Sequence, residues 1–384
     1  MSQRLEFVTL AKAPDANVRE LCRRFDLSPT TAYKWITRFD QAGGIGVATT
    51  AAALCDRSRR PAHSPARTAA DLEAAVIDLR RAHPRWGGRK IRRRLMDLGH
   101  GGGAVAAVVP AASTITDILR RAGLIDPAES AKRETFIRFE HAAPNDLWQM
   151  DFKGHFAIAV GGRCHPLTVL DDHSRYNTVL RACANEQDQT VRTHLADAFR
   201  RYGLPLAMLM DNGSPWGGGG DQPHTELTVW LMRLGVRVCH GRPHHPQTQG
   251  KEERFHRSLL AEAIAGVPWR DLAHCQVGFD AWRDVYNLQR PHEALGLATP
   301  AARYRPSPRA YPETPPTVEY APGDIVRKVQ DKGRIKYEGR IVEVSQAFKG
   351  QLVALRPSIT MDGMMDVFFF RHRIGELDLR EQPV

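Results

Sequence analysis

The sequence lacks most features of secreted, membrane or disulfide-bonded proteins. Its six cysteines, Cys22, Cys55, Cys164, Cys183, Cys239 and Cys275, include no Cys-x-x-Cys pair. That spacing offers neither a disulfide framework nor a zinc site, and the thiols read as small buried hydrophobes. No apolar run reaches the ~18 residues of a membrane span. The start, "MSQRLEFVTLAKAPD", has no charged leader, apolar core or small-residue cleavage site. A cytoplasmic, bacterial-type protein with no membrane partner is expected.

What is present is positive charge, unevenly placed. The 384 residues carry a net charge of +11. Residues 1–140 hold 24 Lys/Arg against 15 Asp/Glu, a net of +9, whereas residues 141–319 hold 19 of each. Such a basic end most often meets a polyanion.

Within that end, "NVRELCRRFDLSPTTAYKWITRF" (17–39) reads as helix, turn, helix. Asn17 and Glu20 form a capping-box pattern, while Ser28 and Pro29 open the second helix. Ala32, Trp35, Ile36 and Phe39 turn inward; Thr30, Thr31, Tyr33, Lys34 and Arg38 are left for the major groove. A related pattern follows, with helices over about 70–82, from Arg89 to about Leu98, and from about Ser113. There the candidate DNA contacts are Arg89, Lys90, Arg92, Arg93, Ser113, Thr114 and Thr116. Arg59 and Arg60 in the basic linker 57–68 are candidate phosphate contacts. The expected units are 1–56 and 69–140, one helix-turn-helix each.

From residue 146 strands appear first and then alternate with helices, which implies a mixed sheet covered by helices. Three carboxylates stand out in that region. Asp151 interrupts an apolar strand, Asp211 ends another, and Glu252 or Glu253 lies on a later helix. Such a trio suits Mg²⁺, which takes carboxylates, waters and substrate phosphates. Spacing on the helix leaves both glutamates open: Glu252 falls near the middle of the apolar face and Glu253 toward its edge.

"WQMDF", "LMDNGSPW" and "HHPQTQGKEERFHRSL" resemble the catalytic motifs of insertion-sequence DDE transposases in the retroviral-integrase superfamily. The wording is most similar to the insertion-sequence 481 group, then to the insertion-sequence 3 group. The resemblance continues through "YNLQRPHEALGLATPAARY" (286–304). It implies an RNase H-like α/β core over 141–305, with Asp151, Asp211 and Glu253 as catalytic, metal-holding residues. It also implies two Mg²⁺ ions per site, with Mn²⁺ substituting. The interval 253 − 211 = 42 exceeds the family's common spacing, and the Gly-rich "WGGGGDQPH" (216–224) accounts for the excess. Asp221 within it is expected to be a turn residue.

Around the triad, Lys251, Arg254 and Arg257 are expected to hold phosphates. Asn212 and Ser214 are expected to orient Asp211 or the attacked phosphate. His244, His245 and His256 are read as hydrogen-bonding or phosphate-contacting residues, and Asp171 and Asp172 as turn caps. A Pro-rich linker (306–322) then leads to a run of short strands over 323–384, expected to close into a small SH3-like barrel. The fold class is therefore multidomain: all-α helix-turn-helix units, an α/β RNase H-like core and a small β-barrel. The function implied is binding of terminal inverted repeats in double-stranded DNA, then metal-dependent cleavage and strand transfer by a homodimer or larger assembly. The competing reading is a catalytically silent DNA-binding regulator derived from a transposase.

Overall fold

The computed structural model describes residues 3–42, 52–56, 67–100, 108–126, 140–218, 223–241 and 250–380. They fall into two compact units, Met1–Arg67 and Thr68–Val384.

The first unit is built from α1 (Gln3–Ala11), α2 (Val18–Arg24) and α3 (Pro29–Gln41). Both caps form as the sequence dictates. The Asn17 side chain accepts from the Arg19 and Glu20 amides, and Ser28 accepts from the Thr31 amide with Pro29 beginning the helix. Phe7, Val8, Cys22, Ala32 and Phe39 make the core, with Trp35 and Ile36 half-buried beside it. Helix α1, which supplies Phe7 and Val8, had no counterpart in the sequence reading. Arg59 and Arg60 lie outside the described residues.

The second unit begins with α4 (Ala70–Ala82), α5 (Gly88–Asp97) and α6 (Ala112–Arg121). Leu72, Val76, Trp86, Ile91, Leu95, Ile115, Ile118 and Leu119 pack between them. Arg80 ties the trihelical unit together by donating to the Trp86 carbonyl (2.9 Å) and the Leu124 carbonyl (2.9 Å). α5 and α6 approach so closely that a Cβ on Gly88 would lie 2.5 Å from the Ala112 carbonyl oxygen.

Next come β1 (Trp148–Phe152), β2 (Phe156–Ala157), β3 (Arg163–Asp171), β4 (Asn177–Cys183), α7 (Asp188–Tyr202), β5 (Ala207–Met210), α8 (Glu226–Arg233), β6 (Arg237–His240) and α9 (Gly250–Leu259). β4, β3 and β1 are antiparallel neighbours, and β5 and β6 continue the sheet in parallel with β1. This is the mixed, helix-covered sheet expected. α7 and α8 cover one face through Val191, Leu195, Phe199, Leu227 and Trp230. α9 and α10 (Leu272–Asp284) are joined to β3 and β4 through Phe255, Leu259, Phe279, Leu170 and Leu180.

The segment after the short α11 (Pro300–Arg303) is a strap along this core rather than a spacer. Arg309 exchanges backbone contact with Leu204 and donates to the Gly235 carbonyl (2.9 Å), while Tyr311 packs near Phe199 and Trp230. Beyond it lie β7 (Ile325–Lys328), β8 (Arg334–Tyr337), β9 (Arg340–Glu343), β10 (Leu352–Pro357), β11 (Met364–Phe369) and β12 (His372–Asp378). They pair as a four-stranded sheet, β12-β11-β10-β7, and a separate β8-β9 hairpin. Closure into the expected barrel is not shown: among the described residues no ladder joins β12 to β7. Instead the inner face of these strands is covered by Phe348 and by Val229 and Met232 of α8. No described helix is long and apolar enough to cross a membrane.

The Gly88 contact makes a direct test of the α5–α6 packing. Gly88→Ala should destabilise the protein by about 1–3 kcal/mol, the usual range for overpacking, read as an earlier urea midpoint. An unchanged midpoint would contradict the close approach.

Candidate active site

β1 and β5 are parallel neighbours with Gln149 level with Leu209. The same offset puts Asp151 level with Asp211, which follows Met210 directly, so both carboxylates emerge at one end of the sheet. Carboxyl ends of adjacent parallel strands form the crevice that α/β folds use for ligands. Burial, and next the charge of Asp211, push the Asp151 carboxyl up to about 7. Asp211 accepts from the Gly213 amide (3.0 Å), and its own carbonyl is bonded to His240 (2.8 Å). Asn212, expected to orient Asp211 or the attacked phosphate, donates to the Gly241 carbonyl (3.1 Å).

The first turn of α9 lies against these strands. Phe255 and Leu259 point into the core, which turns Glu252 and His256, one helical turn apart, toward β1 and β3. Glu252 is 2% exposed. The Thr168 hydroxyl, bonded to the Asp151 carbonyl (3.0 Å), also lies 3.1 Å from Glu252 Oε2 and 2.8 Å from His256 Nε2. His256 Nδ1 faces Asp151 Oδ2 at 3.9 Å. One ligand atom each from Asp151, Glu252 and His256 lie within 4.8 Å of one another. Burial, then the Asp151 charge, push the Glu252 carboxyl well above its ordinary value, while burial lowers His256 to about 3. Glu252 Oε1 is buried with no hydrogen-bond partner among the described residues.

The structure thus seats Glu252, not Glu253, directly beside Asp151. Glu253 is exposed. As an i, i+3 neighbour of His256 it occupies the adjoining helix row, on the solvent side of the face that looks at Asp151. The chemistry of this donor set fits a divalent cation. Two level carboxylates repel each other, Asp151 holds its proton unusually tightly, and a buried carboxylate oxygen beside it has no partner. Asp151 and Asp211 could hold such an ion, with a glutamate from α9 completing the set.

Several expected contacts are placed elsewhere. Lys251 is not a free phosphate ligand: its ammonium is ion-paired with the buried Asp172 carboxylate. Asp172 also accepts from the His141 amide (2.9 Å) and the Gln149 side chain (2.6 Å), and these bonds outweigh burial to hold it below its usual range. Burial lowers Lys251 in turn, with Asp172 opposing. Asp171 caps its turn through the Ser174 amide (2.8 Å). Thr116 is a packing residue, its hydroxyl bonded to the Ala112 carbonyl (2.8 Å) against Gly88. Arg93, by contrast, stays at the surface of α5 in an exposed i, i+4 pair with Asp97 (2.8 Å). Thr30, Tyr33, Lys34, Arg89, Arg92, Ser113, Thr114, Arg254 and Arg257 are exposed, while Thr31, Arg38 and Lys90 are half-buried. His244, His245 and Asp221 lie outside the described residues.

Sequence reasoning missed Thr168 and the His256–Asp151 approach. The signal available was the four-residue spacing of Glu252 and His256, which puts both on one helix face.

Models described as integrase core domain match residues 141–246 and 234–300. The model of the IS481 family transposase C-terminal domain matches 324–384, and homeodomain-like models match 1–48 and 31–119. The insertion element IS407 uncharacterized 31.7 kDa protein of Burkholderia multivorans is 28% identical over 195 residues, covering 49% of this chain and 68% of that one. The IS476 uncharacterized 39.2 kDa protein of Xanthomonas euvesicatoria is 28% identical over 254 residues, covering 63% and 68%. Among solved structures, the HTLV-2 integrase catalytic core in complex with magnesium aligns with a TM-score of 0.31 at 15% identity, covering 42% of this chain and 97% of that one. The simian T-cell lymphotropic virus intasome in complex with a PP2A regulatory subunit aligns with a TM-score of 0.36 at 17% identity, covering 74% and 99%. These matches put an integrase core domain between homeodomain-like units and an IS481 family transposase C-terminal domain, and with the insertion-element relatives they support an IS481-type DDE transposase.

Proposed function

We propose that the protein is a DNA transposase that binds the terminal inverted repeats of an insertion sequence and catalyses strand cleavage and strand transfer in the bacterial cytoplasm. The observation that carries this reading is the level placement of Asp151 and Asp211 at the carboxyl ends of parallel strands, with Asp151 raised to about 7. Two Mg²⁺ ions, or Mn²⁺ in their place, would supply polarisation of the attacking and leaving oxygens at this site. The residues that would hold them are Asp151, Asp211 and Glu253.

Glu253 is preferred because it is the motif glutamate and its carboxylate is open to solvent, where an ion must also meet water and a DNA phosphate. Glu252 is sealed beneath Asp151, where burial raises its carboxyl well above its ordinary value. A second reading, with Glu252 as the ligand, is supported by its orphaned Oε1 and its contact set with Asp151. His256 is neutral and shares the Thr168 hydroxyl, so it fixes the strand-to-helix geometry rather than carrying charge.

DNA would be read by α3, through Thr30, Thr31, Tyr33, Lys34 and Arg38, and by α5 and α6, through Arg89, Lys90, Arg92, Arg93, Ser113 and Thr114. Arg254 and Arg257 are the exposed cations of α9 and would hold phosphates near the site; Arg59 and Arg60 would add backbone contacts. Two element ends need two sites, so a homodimer or larger assembly is expected on DNA.

Cleavage and joining of a labelled element end in Mg²⁺ tests the site. Asp211→Asn and Glu253→Gln should each lose at least about a thousandfold in rate, the size of several kcal/mol of lost charge stabilisation, and Glu252→Gln should retain activity. Loss in Glu252→Gln with retention in Glu253→Gln would establish the second reading; specific binding without cleavage by the unaltered protein in either metal would establish the silent regulator. Salt titration tests the DNA contacts separately. Lys34→Ala should weaken binding across sequences and reduce the slope of log K against log salt by about 0.9; an unchanged slope would remove Lys34 from the interface.

A further inference from the structure

The β2–β3 hairpin gathers a second donor set away from the three carboxylates. Phe156 pairs with Cys164 and Ala157 with Arg163, so the same antiparallel register places His155 opposite His165. Directly opposed residues have Cβ atoms about 4.5–5.5 Å apart, and the two imidazole centroids are 5.2 Å apart. β4 pairs alongside, His165 opposite Cys183, and the chain leaving β4 brings Glu186 over the pair. His165 Nδ1 is 2.7 Å from Glu186 Oε1. One ligand atom from each of His155, His165 and Glu186 lie within 4.8 Å of one another.

We propose that His155, His165 and Glu186 form a binding site for a divalent transition metal of the zinc class, distinct from the Mg²⁺ site. Two imidazoles and one carboxylate make a donor set known for zinc with a remaining position open to water. Imidazole suits Zn²⁺, Co²⁺ or Ni²⁺ and disfavours Mg²⁺, which selects oxygen ligands. A positive group already occupies the edge of the site: the Arg163 guanidinium is hydrogen-bonded to His155 Nε2. The entering ion displaces that guanidinium from His155 and takes the place of the hydrogen bond between His165 Nδ1 and Glu186, the imidazole N–H residing on the other ring nitrogen. The bound ion would tie the turn after β1, strand β3 and the segment before α7 together. It would also offset the Glu186 charge, one of the charges that raise Asp151.

The test titrates Co²⁺ into the full-length protein in excess Mg²⁺ and follows visible absorption. Because the chain has 16 histidines, bound equivalents are read by difference between variants. One equivalent should vanish in His155→Ala and in His165→Gln and persist in His256→Ala, and Arg163→Ala should bind more tightly. His155 is exposed, so its substitution keeps the fold while removing a ligand. If His155→Ala and His165→Gln bind as many equivalents as the unaltered protein, the site is not there; if His256→Ala removes the equivalent instead, the ion belongs to the Asp151 cluster.

Discussion

The geometry of the site depends on how the first turn of α9 is seated, and one buried ion pair fixes that seat. Asp172 directly follows β3 with its side chain 3% exposed, and Lys251 meets it from α9 with 18% exposure. Asp172 has two further donors, so its charge is satisfied from three directions. Breaking a buried pair by removing one partner costs about 3–5 kcal/mol, since the remaining charge stays buried. With Lys251 held, Phe255 and Leu259 enter the core and Glu252 and His256 face Asp151. Glu253 is then left at the rim. The division between a sealed and an open glutamate follows from where Lys251 is pinned.

The same economy recurs around the sheet. Asn145, in a left-handed conformation (φ 67°), donates its amide to Asp171 and accepts from both Trp148 and Tyr304. The tail resembling other transposases contributes Asn287, which bonds both backbone groups of Asn177, and Arg290, which pairs with Glu262. These polar residues hold strands and helices in place. A metal-holding crevice needs such a frame, because level carboxylates repel each other and the backbone must hold them against that repulsion.

Much of this was legible in the sequence where local chemistry decides structure. Asn17 and Ser28 cap helices because their side-chain oxygens satisfy free amides. Asp151 announced itself as a charge inside an apolar strand, and Asp211 as the end of one. Where long-range packing decides, the residues alone were silent. Lys251 read as a DNA contact because nothing local reveals Asp172, 79 positions earlier. The two glutamates could not be told apart, since helix spacing places one at the middle of the buried face and the other at its edge. The Pro-rich segment looked like a spacer, yet its Arg309 and Tyr311 find partners on the core. Alternating strands in the last domain predicted closure, but alternation specifies faces and not which edges pair.

The account stands most directly on the seating of α9, and hydrogen exchange measures it. In Lys251→Met the amides of residues 250–259 should lose protection while those of β1 and β3 keep theirs, because the helix turn loosens and the sheet does not. Unchanged protection across α9 would mean that Lys251 is free for another role and that the Asp172 pair does not set the site.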